Sequence, residues 1–335
     1  MSGTMEPIAE ADLTVVEEIS EAEAKKFVGR SPGQLAWARL KRDRTAKATF
    51  ITIVLLMVAA YGAPLWSLIY GSDAYKQNPE LLDSGAKPLG FAGMDGTHWL
   101  GVLPGNGEDV LMQLLYGIRT SVSIAIITAI VVVALGAIVG AFSAFVGGWL
   151  DAVINWFIDV MLSLPFLIIA LAAVPIVTDL LLGGPGERPL WVSASMIMIV
   201  LLIFSWMGAA RLVRGQVMSL REREFIEAAR AAGAGPAHIV FKQILPNVWA
   251  PILVSFSMTV PALVAAEAYL AFLGVGVSQP HPDLGRLVAY AVGQMRIING
   301  WFLLLISGGT IFLLVLTFNL FGDSVRDALN PKSNR

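Results

Sequence analysis

Apolar positions along this chain fall in long unbroken runs, not in alternating stripes. Six stretches contain no Asp, Glu, Lys or Arg: Ala48–Ser72, Thr120–Leu150, Val160–Thr178, Pro189–Ala210, Gln243–Ala266 and Ile297–Gly322, of 25, 31, 19, 22, 24 and 26 residues. A helix needs about 20 apolar residues to cross the hydrocarbon core of a bilayer, and in lipid the backbone must satisfy its own hydrogen bonds. The pattern predicts an all-α polytopic membrane protein with six transmembrane helices, near residues 50–70, 120–146, 153–178, 191–211, 248–275 and 301–322. Membrane β-barrel spans alternate apolar and polar residues in segments of about ten, and these runs do not. Pro165 and Pro175 fall in the third run and predict kinks there.

Composition sharpens the class. Of 335 residues, 56% are hydrophobic and 14% are charged, against about 25% charged in ordinary globular domains. That excludes a disordered chain, a coiled coil and a nucleic-acid-binding domain that relies on a basic surface. There are no cysteines, hence no disulfides or thiolate chemistry. His98, His238 and His281 are far apart, so no metal site is expected.

The few charges give the orientation. Seventeen Lys and Arg fall in the N-terminal segment, in the connection between the fourth and fifth spans and at the C-terminus; six fall on the opposite side. The positive-inside rule then predicts cytoplasmic N and C termini. Residues 1–49, mostly polar, precede the first span, so that span is expected to act as an uncleaved anchor.

Between the spans the chain divides further. Residues 1–31 are rich in acidic side chains and read as a disordered cytoplasmic tail. Over residues 32–49, Leu35, Trp37 and Leu40 are interleaved with Arg39, Lys41, Arg42 and Arg44, which suits a basic helix at the membrane interface or a plain charged flank. The external loop 72–117 is rich in Gly, Pro, Asn and Asp and predicts turns with little core of their own. The transmembrane domain proper is expected over residues 50–335.

The cytoplasmic connection 212–247 is the most informative segment. Glu222–Ala232 favours helix, Gly233 and Gly235 interrupt it, and Pro236 opens a second helix with Ala237, Phe241 and Leu245 on one face. A short amphipathic helix held outside the membrane must cover its apolar side, and a partner protein is the natural cover.

These residues resemble a known family. Glu227-Ala228-Ala229, Gly233 and Leu245-Pro246 are similar to the EAA loop of ABC importer permeases, whose pattern is Glu-Ala-Ala, three residues, Gly, nine residues, Ile, any residue, Leu-Pro. Gln243 occupies the Ile position, with Ile244 beside it. Ala271–Gly276, Leu115–Ser121 and Phe318–Asp327 with Pro331 extend the resemblance over roughly residues 35–331, toward the C-type subunit of oligopeptide/dipeptide/nickel importers. Gly101–Asp109 departs from the pattern that family commonly shows before its second helix.

The resemblance implies an ABC importer type I permease fold. It implies a second, B-type permease, two ATP-binding subunits and an extracytoplasmic substrate-binding protein as partners, with the lipid bilayer around them. ATP and Mg would be bound by the ATPase subunits and no cofactor by this chain, which has no Gly-Lys-Ser or Gly-Lys-Thr. Glu227, Ala228, Ala229, Gly233, Phe241, Leu245 and Pro246 would couple the ATPases to the membrane helices.

Two acids lie in or beside the spans, Asp159 and Glu267, and either line a pathway or join helices. Gly136 and Gly140 form a Gly-x-x-x-Gly pair suited to close helix packing. An ion-coupled secondary transporter is the alternative; such carriers usually show inverted repeats and several midplane charges, whereas this chain has no clear repeat and only these two acids. An intramembrane enzyme using Ser205 or Ser307 would need a histidine within a span, and none is found.

Overall fold

A computed structural model describes residues 32–183, 188–296 and 300–330; the acidic stretch 1–31 and Pro331 lie outside them. The described residues form twelve helices: α1 (Pro32–Leu40), α2 (Arg44–Tyr61), α3 (Ala63–Tyr70), α4 (Val110–Val146), α5 (Gly148–Ser163), α6 (Phe166–Leu182), α7 (Leu190–Leu220), α8 (Glu224–Ala231), α9 (Pro236–His238), α10 (Trp249–Phe272), α11 (Leu284–Gly293) and α12 (Gly300–Leu329). Five are long and apolar enough to cross a membrane, and α5 with α6 makes a sixth span if that bent pair counts as one.

The helices depart from the charge-free runs in instructive ways. The basic helix expected over 32–49 ends at Leu40, because Asp43 accepts the Thr45 N–H at 2.9 Å and starts α2 afresh. The first span breaks at Gly62 into α2 and α3. The second begins at Val110, ten residues early, where buried Asp109 accepts the Met112 N–H at 2.9 Å. Burial pushes the Asp109 carboxyl above its ordinary value, opposed by that N–H. The third span turns through 91° between α5 and α6. Leu164 there is extended, the conformation a following proline favours, whereas α6 runs unbroken through Pro175. Helix α7 continues nine residues past Arg211, so Arg211 and Arg214 lie within it and not in a loop.

Helix α4 is the axis of the bundle. Its inner face joins α6, α7 and α10 in one core cluster around Ala125, Ala129, Leu201 and Val264. Gly136 and Gly140 permit the closest approach: a Cβ at Gly140 would lie 2.2 Å from the Ala210 carbonyl oxygen of α7, and one at Gly136 2.6 Å from that of Trp206. Gly140→Ala is therefore expected to cost about 1–3 kcal/mol by forcing the two helices apart, and Gly140→Leu to prevent assembly. Thermal inactivation of the purified protein in detergent measures both. Facing outward, Leu55, Ile127, Ile203 and Phe312 are exposed, an apolar surface suited to lipid.

At one end of the bundle the loop 71–109 has more core than expected. Leu103 is buried against Leu114, Leu284 and Leu287, which packs the loop onto α4 and α11, and Val102 is buried within the loop itself. Helix α11, which no charge-free run revealed, is seated by Asp283 at its N-cap and by Gly285, where a Cβ would meet the Ala268 carbonyl oxygen at 2.2 Å. The Tyr290 hydroxyl donates to the Pro104 carbonyl. At the opposite end, α1 lies on the C-terminal part of α12, with Arg39 Nη1 donating to the Asn330 carbonyl at 2.9 Å. Segment 221–247 is at this same end.

Candidate functional site: the segment 221–247

The segment is two short helical pieces joined by a tight turn. Helix α8 carries Glu224 and Glu227 in its first turn and Arg230 in its last, each complementing the helix dipole. Its C-terminus is a Schellman motif: Gly233 N–H donates to the Arg230 carbonyl at 2.9 Å and Ala234 N–H to the Ala229 carbonyl at 3.0 Å. Closing that motif puts Gly233 at φ +83°, in the left-handed region that glycine enters without strain. Pro236 then opens α9, which widens into a π-helical turn over Ile239–Ile244 and tightens to a 3₁₀ turn over Leu245–Asn247. Pro246 has no N–H and excludes the carbonyl four residues back, and the irregular turns accommodate it.

The two faces of this segment have different fates. Ile226, Ile239, Val240 and Ile244 are fully buried against Ala137, Ala141 and Ala144 of α4 and Val213 and Val217 of α7. The expected apolar face is the outer one: Ala237 and Phe241 are exposed, Phe241 at 55%, and Leu245 is half-buried. Glu227, Ala228, Gly233 and Pro246 are exposed with them, and Ala229 is half-buried. No heavy atom lies within 4 Å of a Cβ built on Gly233, so its role in this chain is conformational and not one of close packing.

The intramembrane acids separate. Asp159 of α5 forms an ion pair with Arg211 of α7, on an exposed part of the surface. Glu267 is fully buried beside Ser121 and Asp283, and neither of its carboxyl oxygens makes a hydrogen bond. A buried polar group without a hydrogen bond costs about 1–3 kcal/mol. Glutamine keeps the size and the polar atoms and removes only the ionisable group, so Glu267→Gln is expected to hold the melting temperature of the purified protein and to leave uptake within twofold; uptake lost at unchanged yield would instead assign Glu267 to the pathway.

One network had no sequence signal. The Asp151 carboxylate of α5 accepts from Arg214 Nε and Nη2 of α7 at 2.8 and 2.7 Å, from Ser143 Oγ at 2.8 Å and from Asn155 Nδ2 at 2.8 Å. Only the 63-residue separation in sequence conceals it.

A bundle of membrane helices that buries one side of a short helical hairpin and exposes the other carries the Glu-Ala-Ala, Gly and Leu-Pro positions on that hairpin, and the comparisons with known proteins give its class as a permease subunit of an importer, not an ion-coupled carrier. The chain belongs to the family described as binding-protein-dependent transport system inner membrane component, whose model matches residues 133–335; that of the N-terminal TM domain of oligopeptide transport permease C matches residues 31–88. It is 35% identical over 298 residues to the oligopeptide transport system permease protein OppC of Mycobacterium tuberculosis, covering 88% of this chain and 93% of that one. It is 31% identical to the dipeptide transport system permease protein DppC of Bacillus subtilis, covering 95% and 92%. A chain of the inward-facing MetNI methionine ABC transporter shares the fold, with a TM-score of 0.51 at 20% identity over 65% of this chain and 96% of that one.

Proposed function

We propose that this chain is the C-type permease of a bacterial inner-membrane importer of di- or oligopeptides. It pairs with a B-type permease and two ATPase subunits, which bind the ATP and Mg, and receives cargo from an extracytoplasmic binding protein. Segment 221–247, with α1 and the end of α12, faces the cytoplasm, as the cationic asymmetry favours; loop 71–109 faces the binding protein. Glu227, Ala228, Ala229, Gly233, Phe241, Leu245 and Pro246 form the coupling surface. The observation that carries this reading is the division of the segment into a face locked in the permease core and a face left open around Phe241.

The test is uptake by the complete complex in proteoliposomes. Peptide uptake that requires both ATP and binding protein is the expected result. Uptake driven by an ion gradient without ATP would overturn the assignment of the motor, and exclusion of peptides in favour of nickel chelates would overturn the cargo.

A further inference from the structure

Three arginines of the α7–α8 stretch converge on one corner. Arg214 forks onto Asp151, Arg221 Nη1 donates to the Ala144 carbonyl at 3.0 Å, and the Arg230 guanidinium lies 5.0 Å from the centre of the Phe145 ring. All their partners lie between Ser143 and Asp151, where α4 ends and α5 begins through Gly147 and Gly148, both at positive φ. The corner thus contacts the coupling segment at its root, at its entry and at the last turn of α8. A bidentate arginine–carboxylate pair is short, directional and stiff, and here Asp151 is further braced by Ser143 and Asn155. Apolar packing beside it, through Ile226 and Val240, resists separation but not sliding.

We infer that Asp151 and Arg214 are positioning residues for transport: their ion pair carries the displacement of segment 221–247 into α4 and α5. This rests on the coupling role proposed above for that segment. The pair lies apart from the exposed face around Phe241. It makes α5, α7 and the end of α4 move as one piece when the ATPases pull on the segment. Without it, α5 and α7 keep only the exposed Asp159–Arg211 pair, and the α4–α5 corner lags behind the segment.

The complete complex carrying Asp151→Asn, Arg214→Lys or Arg214→Gln tests this. Asparagine keeps the bonds to Ser143 and Asn155, and lysine keeps the charge but loses the fork. Allosteric couplings are typically worth 5- to 150-fold. Each variant is expected to assemble at normal yield, to keep basal ATPase activity, and to show peptide uptake per ATP reduced about fivefold or more. Asp151→Asn combined with Arg214→Gln is expected to be no worse than either alone, since both break one link. A purely structural pair would instead lower yield, ATPase and uptake together, in Arg214→Lys as well. That outcome, or unchanged uptake per ATP, overturns the inference. Phe241→Ala in the same complex separates the two levels. If it lowers ATPase retention or uptake per ATP and Asp151→Asn does not, only the clamp is wrong; if it lowers neither, the coupling role of the segment fails.

Discussion

Gly233→Val is expected to give a complex that assembles and hydrolyses ATP but takes up less than about a tenth as much peptide. The reason is backbone geometry. Gly233 sits at φ +83°, where an L-residue pays roughly 1–2 kcal/mol and a β-branched one is a genuine outlier. Open space surrounds the position, so a side chain meets nothing in this chain and the whole cost is conformational. The cheapest escape is to open the turn. That breaks the bonds from Gly233 to Arg230 and from Ala234 to Ala229, and it swings α8 away from the direction set by α9. Bundle and ATPase would both remain intact, with the lever between them mis-set. Because Asn and Asp enter the left-handed region more readily, Gly233→Asn and Gly233→Asp should lose less than Gly233→Ala, and Ala less than Val. Uptake and phosphate release measured on the same proteoliposomes give the comparison. Full uptake by the Val variant, or an order that follows side-chain size with Asn worse than Ala, would show that the turn itself is not what matters.

Phe241→Asp should have the second large effect, and of a different kind: the ATPase subunits should dissociate. Phe241 is a large aromatic held out from a rigid base, since Val240 on one side and Ile244 on the other are buried in the permease core. Aromatic anchors at the centre of an interface commonly lose about 2–4 kcal/mol on truncation, roughly 30- to 1,000-fold in affinity. A carboxylate there adds a desolvation cost in any apolar groove. The permease itself should keep its melting temperature, because Phe241 contributes nothing to the buried core. Co-purification of ATPase with tagged permease reads the loss; a complex recovered at normal yield would place the docking contact elsewhere.

Much of this was written in the runs and in one motif. Each of the five long apolar helices, and the bent α5–α6 pair, overlaps a charge-free stretch, since lipid tolerates few charges, and the Gly136–Gly140 spacing marked a close helix contact, which the structure makes with α7. Where the reading slipped, the cause was physical. Runs without charge underestimate helix length when a charge finds a partner inside the helix, as Arg214 does with Asp151. The 91° turn after Ser163 depends on one proline and the extended residue before it, whereas Pro175 leaves its helix intact. Helical spacing puts Ala237, Phe241 and Leu245 on one face but does not show that the bundle takes Ile239, Val240 and Ile244; the π turn alters the spacing locally. The packing of Leu103 onto Leu284 and Leu287 joins residues about 180 positions apart, a contact that no local pattern encodes.

The exposed face of segment 221–247 is expected to engage the ATPase. The chain has no cysteine and its Phe241 is exposed, so a benzophenone-bearing phenylalanine at position 241 is a minimal change for a photo-crosslinking test in the assembled complex. Illumination should yield one dominant adduct, between this chain and an ATPase subunit, with a yield that changes when ATP is added. Adducts to lipid or to the second permease, with none to the ATPase in either nucleotide state, would contradict the account.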